Sequence, residues 1–101
     1  MSSELAYSLA FVPQALKEWK KLDPHTRQLF KTRLIERLEM PRLASAQLRG
    51  HPNRYKIKLR ALGYRLVYEM RDQEVLVVVA VGRRDGNAVY LAADGRDSAA
   101  H

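Results

Sequence analysis

The stretch from Arg54 to Tyr68, RYKIKLRALGYRLVY, alternates between charged and apolar residues. Arg54, Lys56, Lys58 and Arg60 point one way, and Tyr55, Ile57 and Leu59 the other, which is the period of a half-buried strand. Ala61, Leu62 and Gly63 interrupt the pattern. A second run follows, with Tyr64, Leu66, Tyr68 and Met70 on one face and Arg65, Val67 and Glu69 on the other. Two alternating runs around a Gly-containing break predict a β-hairpin. Apolar faces must share one side of the sheet, so the numbers of opposed residues sum to an odd value. The register read from this pairs Leu59 with Leu66, Ile57 with Tyr68 and Tyr55 with Met70. It also opposes Arg60 to Arg65, Lys58 to Val67 and Lys56 to Glu69. Lys56, Lys58, Arg60 and Arg65 then share a face, an arrangement that costs stability through like-charge opposition.

Further patterns flank the hairpin. Tyr7, Leu9 and Phe11 alternate and predict a first strand over Leu5 to Phe11. Pro13 suits the first turn of a helix, and Val12, Leu16, Trp19 and Leu22 recur at helical spacing. Asp23 can cap a second helix, with Pro24 in its first turn. That helix is expected to run to Leu38 or Met40, stopped by Pro41. Leu29, Phe30, Leu34, Ile35 and Leu38 form its apolar stripe, while Arg27, Lys31, Arg33, Glu36, Arg37 and Glu39 face out.

Leu43 to Asn53 reads as a connector, and Asp72-Gln73 as a turn. Val75 to Val81 is apolar on both faces and rich in β-branched residues, as befits a central strand. Pairing Met70 with Val75 and Tyr68 with Val77 puts Leu76, Val78 and Ala80 beneath the basic face. Gly82 and Arg84 continue that face, provided no bulge intervenes. Asn87 to Leu91 predicts a short strand or turn, and Ala92 to His101 a frayed tail. The element order implies one α+β domain over residues 1–101. Two helices pack on one face of a mainly antiparallel sheet of about four strands.

Charge sharpens the picture. Lys and Arg number 18 against 11 acids, for a formal charge of +7 on 101 residues. Such an excess points to a polyanion, nucleic acid before membrane, since the cations are spread over a helix and a sheet. No signal-peptide pattern and no membrane-length apolar run occurs. Cysteine is absent, and His25, His51 and His101 are far apart, so no metal or cofactor site is expected. A cytoplasmic domain without membrane contact is the expectation.

The chemistry-bearing set is Lys56, Lys58, Arg60, Arg65 and Arg84, with Tyr90 nearby. On composition alone the commoner reading of such a set is an exposed strand face that binds phosphate nonspecifically. The sharper reading is RNA cleavage. Attack by a ribose 2′-hydroxyl builds negative charge on phosphate oxygens, which fixed guanidinium groups stabilise. A lysine crowded by cations can act as base near neutral pH, and a tyrosine ring can stack on an unpaired base.

Three blocks, ALKEWKKLDP at Ala15 to Pro24, LRGHPNRYKIKLRALGYRLVYEM at Leu48 to Met70, and VGRRDGNAVY at Val81 to Tyr90, resemble the RelE family of bacterial toxins. These are the messenger-RNA interferases of type II toxin–antitoxin pairs. The resemblance implies a metal-independent endoribonuclease that cuts the codon in the ribosomal A site and is neutralised by a RelB-like antitoxin. Operator DNA would be a partner only of the toxin–antitoxin complex. The family's active-site residues match Lys56, Lys58, Arg65, Arg84 and Tyr90. Lys56 is favoured as base and Lys58 as acid, although resemblance does not settle that choice. Arg49, Arg54, Arg60 and Arg83 are expected to add RNA-binding charge. Asp85-Gly86 departs from the more charged pair of relatives and implies a looser loop before Tyr90, and the Ala-, Asp- and Gly-rich segment Leu91 to His101 implies a short or absent C-terminal helix and with it a reduced antitoxin contact. Two other classes compete: a non-catalytic, ParE-like inhibitor of DNA gyrase, which would lack the basic set, and a plain RNA-binding module.

Overall fold

The computed structural model describes residues 8–71, 75–83 and 88–94. The elements are β1 (Ser8–Phe11), α1 (Pro13–Lys20), α2 (Pro24–Glu39), β2 (Arg54–Leu59), β3 (Tyr64–Arg71), β4 (Val75–Arg83) and α3 (Ala88–Asp94). The four strands form one sheet in the order β1-β4-β3-β2. β2, β3 and β4 are antiparallel, whereas β1 runs parallel to β4 at the edge. The helices between β1 and β2 make that parallel return possible. β4 has a strand on each side and is buried from Leu76 to Val81, as its all-apolar sequence predicts.

The expected helix boundaries hold. Pro13 and Pro24 open α1 and α2, and the Asp23 carboxylate accepts from the Thr26 amide at 3.1 Å and the Thr26 hydroxyl at 2.6 Å. Those bonds hold the Asp23 carboxyl below its ordinary pKa. The apolar stripes are narrower than predicted. Leu16, Leu29 and Ile35 are exposed, and the buried positions are Ala15 in α1 and Thr26, Phe30, Leu34 and Leu38 in α2. The α2 positions recur every four residues, so the helix meets the sheet along one line and leaves its flanks to solvent. Trp19 joins the layers, with its ring 5.4 Å from Phe11 edge-on and 6.3 Å from Phe30. Beyond Phe11 β1 no longer covers β4, and Glu18 accepts there from the Val81 amide at 3.0 Å.

The hairpin keeps the predicted parity but slips by two residues. Leu59 pairs with Tyr64, Ile57 with Leu66, Tyr55 with Tyr68, Lys58 with Arg65, and Arg54 with Glu69. The connection explains the slip. Arg60–Leu62 form a 3-10 turn, closed by Gly63 in the left-handed region at φ 70°. Its amide donates to the Leu59 carbonyl at 2.9 Å. A residue without Cβ adopts that conformation at no steric cost, so β3 restarts at Tyr64. Arg60 therefore leaves the sheet face for the exposed turn.

Between β3 and β4 a bulge does intervene. Val67 pairs with Ala80 but Tyr68 pairs with Val78, leaving Val79 as the extra residue. On the near side of it, Leu76 and Val78 oppose Met70 and Tyr68, so they lie on the face opposite the basic residues, contrary to expectation. Beyond it, Ala80 and Gly82 oppose Val67 and Arg65 and stand on the basic face as expected.

The residues expected to form a strand or turn near Tyr90 instead form α3, which also claims part of the expected tail. Ala88, Leu91, Ala92 and Ala93 favour helix, and Val89 and Ala93, four apart, are buried. A short C-terminal helix is thus present. Leu5 to Tyr7, the Asp72-Gln73 turn, Arg84, Asn87 and the segment after Asp94 lie outside the described residues. No described helix is long and apolar enough to cross a membrane.

Candidate active site

The two faces of the sheet are built differently. On one, Tyr55, Ile57, Leu66 and Tyr68 are buried beneath the helices. The Tyr55 and Tyr68 rings, directly opposed, stack at 5.5 Å. The Tyr68 hydroxyl donates to the Pro41 carbonyl at 2.7 Å and accepts from Arg37 Nη1 at 3.0 Å. Burial raises the Tyr68 hydroxyl above its ordinary pKa, against the opposing pull of the Arg37 guanidinium. Arg37, expected to face out, is turned in and also donates to the Lys56 carbonyl at 3.1 Å.

The other face is arranged in rungs across three strands. The first rung is Lys58, Arg65 and Gly82. Lys56, Val67 and Ala80 form the second, and Arg54, Glu69 and Val77 the third. Lys56, Lys58 and Arg65 are half-buried. Lys58 and Arg65 are directly opposed, a like-charge pair that sheet stability disfavours. Gly82 makes room for α3: a Cβ there would come within 3.3 Å of Val89 Cγ2. A glycine inside a strand marks such a close approach. α3 then lays Tyr90 beside Arg65. The Arg65 Nη1 donates to the Tyr90 hydroxyl at 3.0 Å, and the guanidinium carbon lies 5.6 Å from the ring centroid. Two cations, a glycine and an aromatic ring thus meet at the open end of one rung. That combination offers a phosphate fixed charge and a base a stacking surface.

The structure thus gathers Lys56, Lys58, Arg65 and Tyr90 on one face. Arg49 and Arg60 are exposed. Arg83 is exposed on the opposite face, its guanidinium carbon 5.2 Å from the ring centroid of Tyr64, with which it is paired. Arg54 does not sit where a phosphate-binding residue is expected. It is 1% exposed and its Nε donates to Glu69 at 3.0 Å, so its guanidinium is turned into the fold rather than toward solvent. The signal was present in the sequence as opposite charges at Arg54 and Glu69, but the two-residue slip assigned Glu69 to Lys56. Among the described residues no group of His, Cys, Asp or Glu is placed to hold a metal ion.

Residues 9–88 match the family described as ParE toxin of type II toxin–antitoxin system, parDE. The chain is 51% identical over 87 residues to the mRNA interferase toxin RelE of Escherichia coli, covering 85% of this chain and 92% of that protein. A putative RelE-like toxin protein, also from Escherichia coli, is 45% identical over 93 residues, covering 91% and 98%. Among solved structures, a mutant of E. coli RelE in the free state superposes with a TM-score of 0.84 at 47% identity, over 92% of this chain and 99% of that one. The toxin in the intact E. coli RelBE toxin–antitoxin complex gives 0.75 at 49% identity, over 79% and 99%.

Proposed function

This chain belongs to the RelE/ParE toxin family of type II toxin–antitoxin systems, and from that premise we propose that it is an mRNA interferase, an endoribonuclease acting on ribosome-bound message. The observation that carries the reading is the first rung with its lid: Lys58 opposite Arg65, Gly82 beside them and Tyr90 above. A gyrase inhibitor of the same fold would have no use for like charges forced together there.

In the proposed reaction Lys56 takes the proton of the ribose 2′-hydroxyl. The oxygen attacks the adjacent phosphorus and the bond to the 5′-oxygen breaks. Lys58 supplies a proton to that leaving oxygen, so the products are a 2′,3′-cyclic phosphate and a 5′-hydroxyl. Arg65 meets the charge that grows on the non-bridging oxygens. Arg84 is assigned the same role from its place after Gly82-Arg83, and Tyr90 stacks on the base. Arg49 and Arg60 are free of the sheet face and suited to backbone phosphates. Among the described residues the site holds no histidine or carboxylate pair, so substrate positioning must supply much of the rate, and the ribosomal A site would provide it. A RelB-like antitoxin is the proposed neutralising partner, with operator DNA bound only by the complex, and the cytoplasm is the proposed location.

The test is to add purified protein to ribosomes stalled with a defined A-site codon and map the ends. Cutting within that codon, leaving a cyclic phosphate, is expected, with free message cut far more slowly. Equally fast cutting of free and bound message would overturn ribosome dependence. In the same assay Arg84→Ala should lose most activity, while Arg83→Ala, on the other face, should be mild.

A further inference from the structure

Arg54 has no part in the reaction drawn above, yet it is among the largest fully buried side chains of the protein. Its Nε donates to Glu69 Oε2 at 3.0 Å, and its Nη2 donates to the Ala93 carbonyl at 3.3 Å. Glu69 is held in turn from its other oxygen by Arg71 Nε. Burying a charged pair is a poor way to gain stability alone. Here the pair reaches a backbone oxygen in the last turn of α3.

α3 needs that hold. A helix of seven residues does not stand by itself in water. Its packing includes Val89 over Gly82 and the buried Ala93, and its polar contacts with the sheet include Arg65 to Tyr90 and Arg54 to Ala93. Tyr90 and Ala93 are three residues apart, nearly one turn, so fixing Ala93 sets both the height and the rotation of Tyr90. The two polar contacts differ in one respect. Arg65 is the group expected to turn to phosphate during the reaction, and its bond to Tyr90 is then given up. The Arg54 contact remains.

We propose that Arg54, oriented by Glu69, is a positioning residue that tethers α3 and so aims Tyr90 at the substrate base; the inference rests on the ribonuclease reading above. It predicts that losing Arg54 affects the chemical step more than ribosome binding, and that it does so through Tyr90.

The test compares Arg54→Met and Arg54→Lys with the wild type in two assays. Amide hydrogen exchange over residues 88–94 should quicken by about tenfold or more in Arg54→Met, while α2 stays protected. Single-turnover cleavage at saturating programmed ribosomes should fall about tenfold, with the half-saturating concentration unchanged. Arg54→Lys should recover part of both. Tyr90→Ala introduced into Arg54→Met should cost less than about twofold more, because the two residues act as one unit. Unchanged exchange in α3, or losses from Arg54 and Tyr90 that multiply, would overturn the proposal. If Arg54→Met does not fold, Arg54→Met with Glu69→Gln removes the carboxylate that the loss of Arg54 would strand, keeps an amide oxygen for Arg71 to donate to, and serves the same comparison. A wild type that cuts no programmed message would sink the ribonuclease reading alone, since the exchange assay still decides whether Arg54 holds the helix.

Discussion

The two faces of this sheet carry the same strands and answer to different demands. The Tyr68 face is covered by a capped sixteen-residue helix, and its buried side chains are apolar or hydrogen-bonded. The basic face is covered in part by a seven-residue helix, and beside that helix it brings Lys58 against Arg65. The first face obeys the rules of sheet stability. The second breaks the rule against like-charge opposition at one rung and otherwise keeps to them, with Val67, Ala80 and Val77 buried beyond. Stability and function are therefore separable by face, and substitutions should sort accordingly.

The sharpest break comes from Phe30, which is fully buried between α2 and the sheet. Phe30→Ala should destabilise by about 3–5 kcal/mol in urea unfolding. Cleavage per folded molecule should be unchanged. A catalytic defect in the folded fraction would show that the faces are coupled.

Arg65→Ala is the converse. Cleavage should fall by about 10²–10³, or ~2.7–4 kcal/mol of transition-state stabilisation. The unfolding free energy should move by less than about 1 kcal/mol, because relief from Lys58 offsets the lost Tyr90 contact. A large loss of stability would make Arg65 structural.

Gly82→Ala tests the junction of the two demands. Its Cβ would press on Val89 at 3.3 Å, so α3 must shift or Val89 must yield. Overpacking of this kind costs about 1–3 kcal/mol. Stability and cleavage should fall together here, unlike at Phe30 or Arg65.

The smallest effect belongs to Tyr68. The folded protein holds this hydroxyl neutral beyond its ordinary pKa of 10.0, whereas the unfolded chain ionises there. Its contribution is complete below about pH 10 and is lost as pH rises through the higher folded value. Tyr68→Phe should cost about 1 kcal/mol near neutral pH, from the bonds to Pro41 and Arg37. It should also flatten the decline in melting temperature above pH 10. An unchanged alkaline profile would place that decline elsewhere.

The pattern of residues along the chain was enough for the elements through β4 and for the shared face of Lys56, Lys58 and Arg65. Those properties follow from periodicity, from Pro13, Asp23 and Pro24 at helix starts, and from a parity that the whole apolar face enforces. Parity does not choose among registers two residues apart, because each leaves the same side chains inward. The left-handed Gly63 made that choice, and with it decided that Lys58 rather than Arg60 opposes Arg65, and that Arg54 rather than Lys56 meets Glu69. Nor could a local pattern show the bulge at Val79, since a strand apolar on both faces reads the same with an extra residue in it. α3 was the least legible element. Its residues favour helix, but seven are too few to hold one in water, and the helix is fixed where Gly82 lets Val89 approach and Arg54 reaches Ala93 from a strand thirty-nine positions away in sequence.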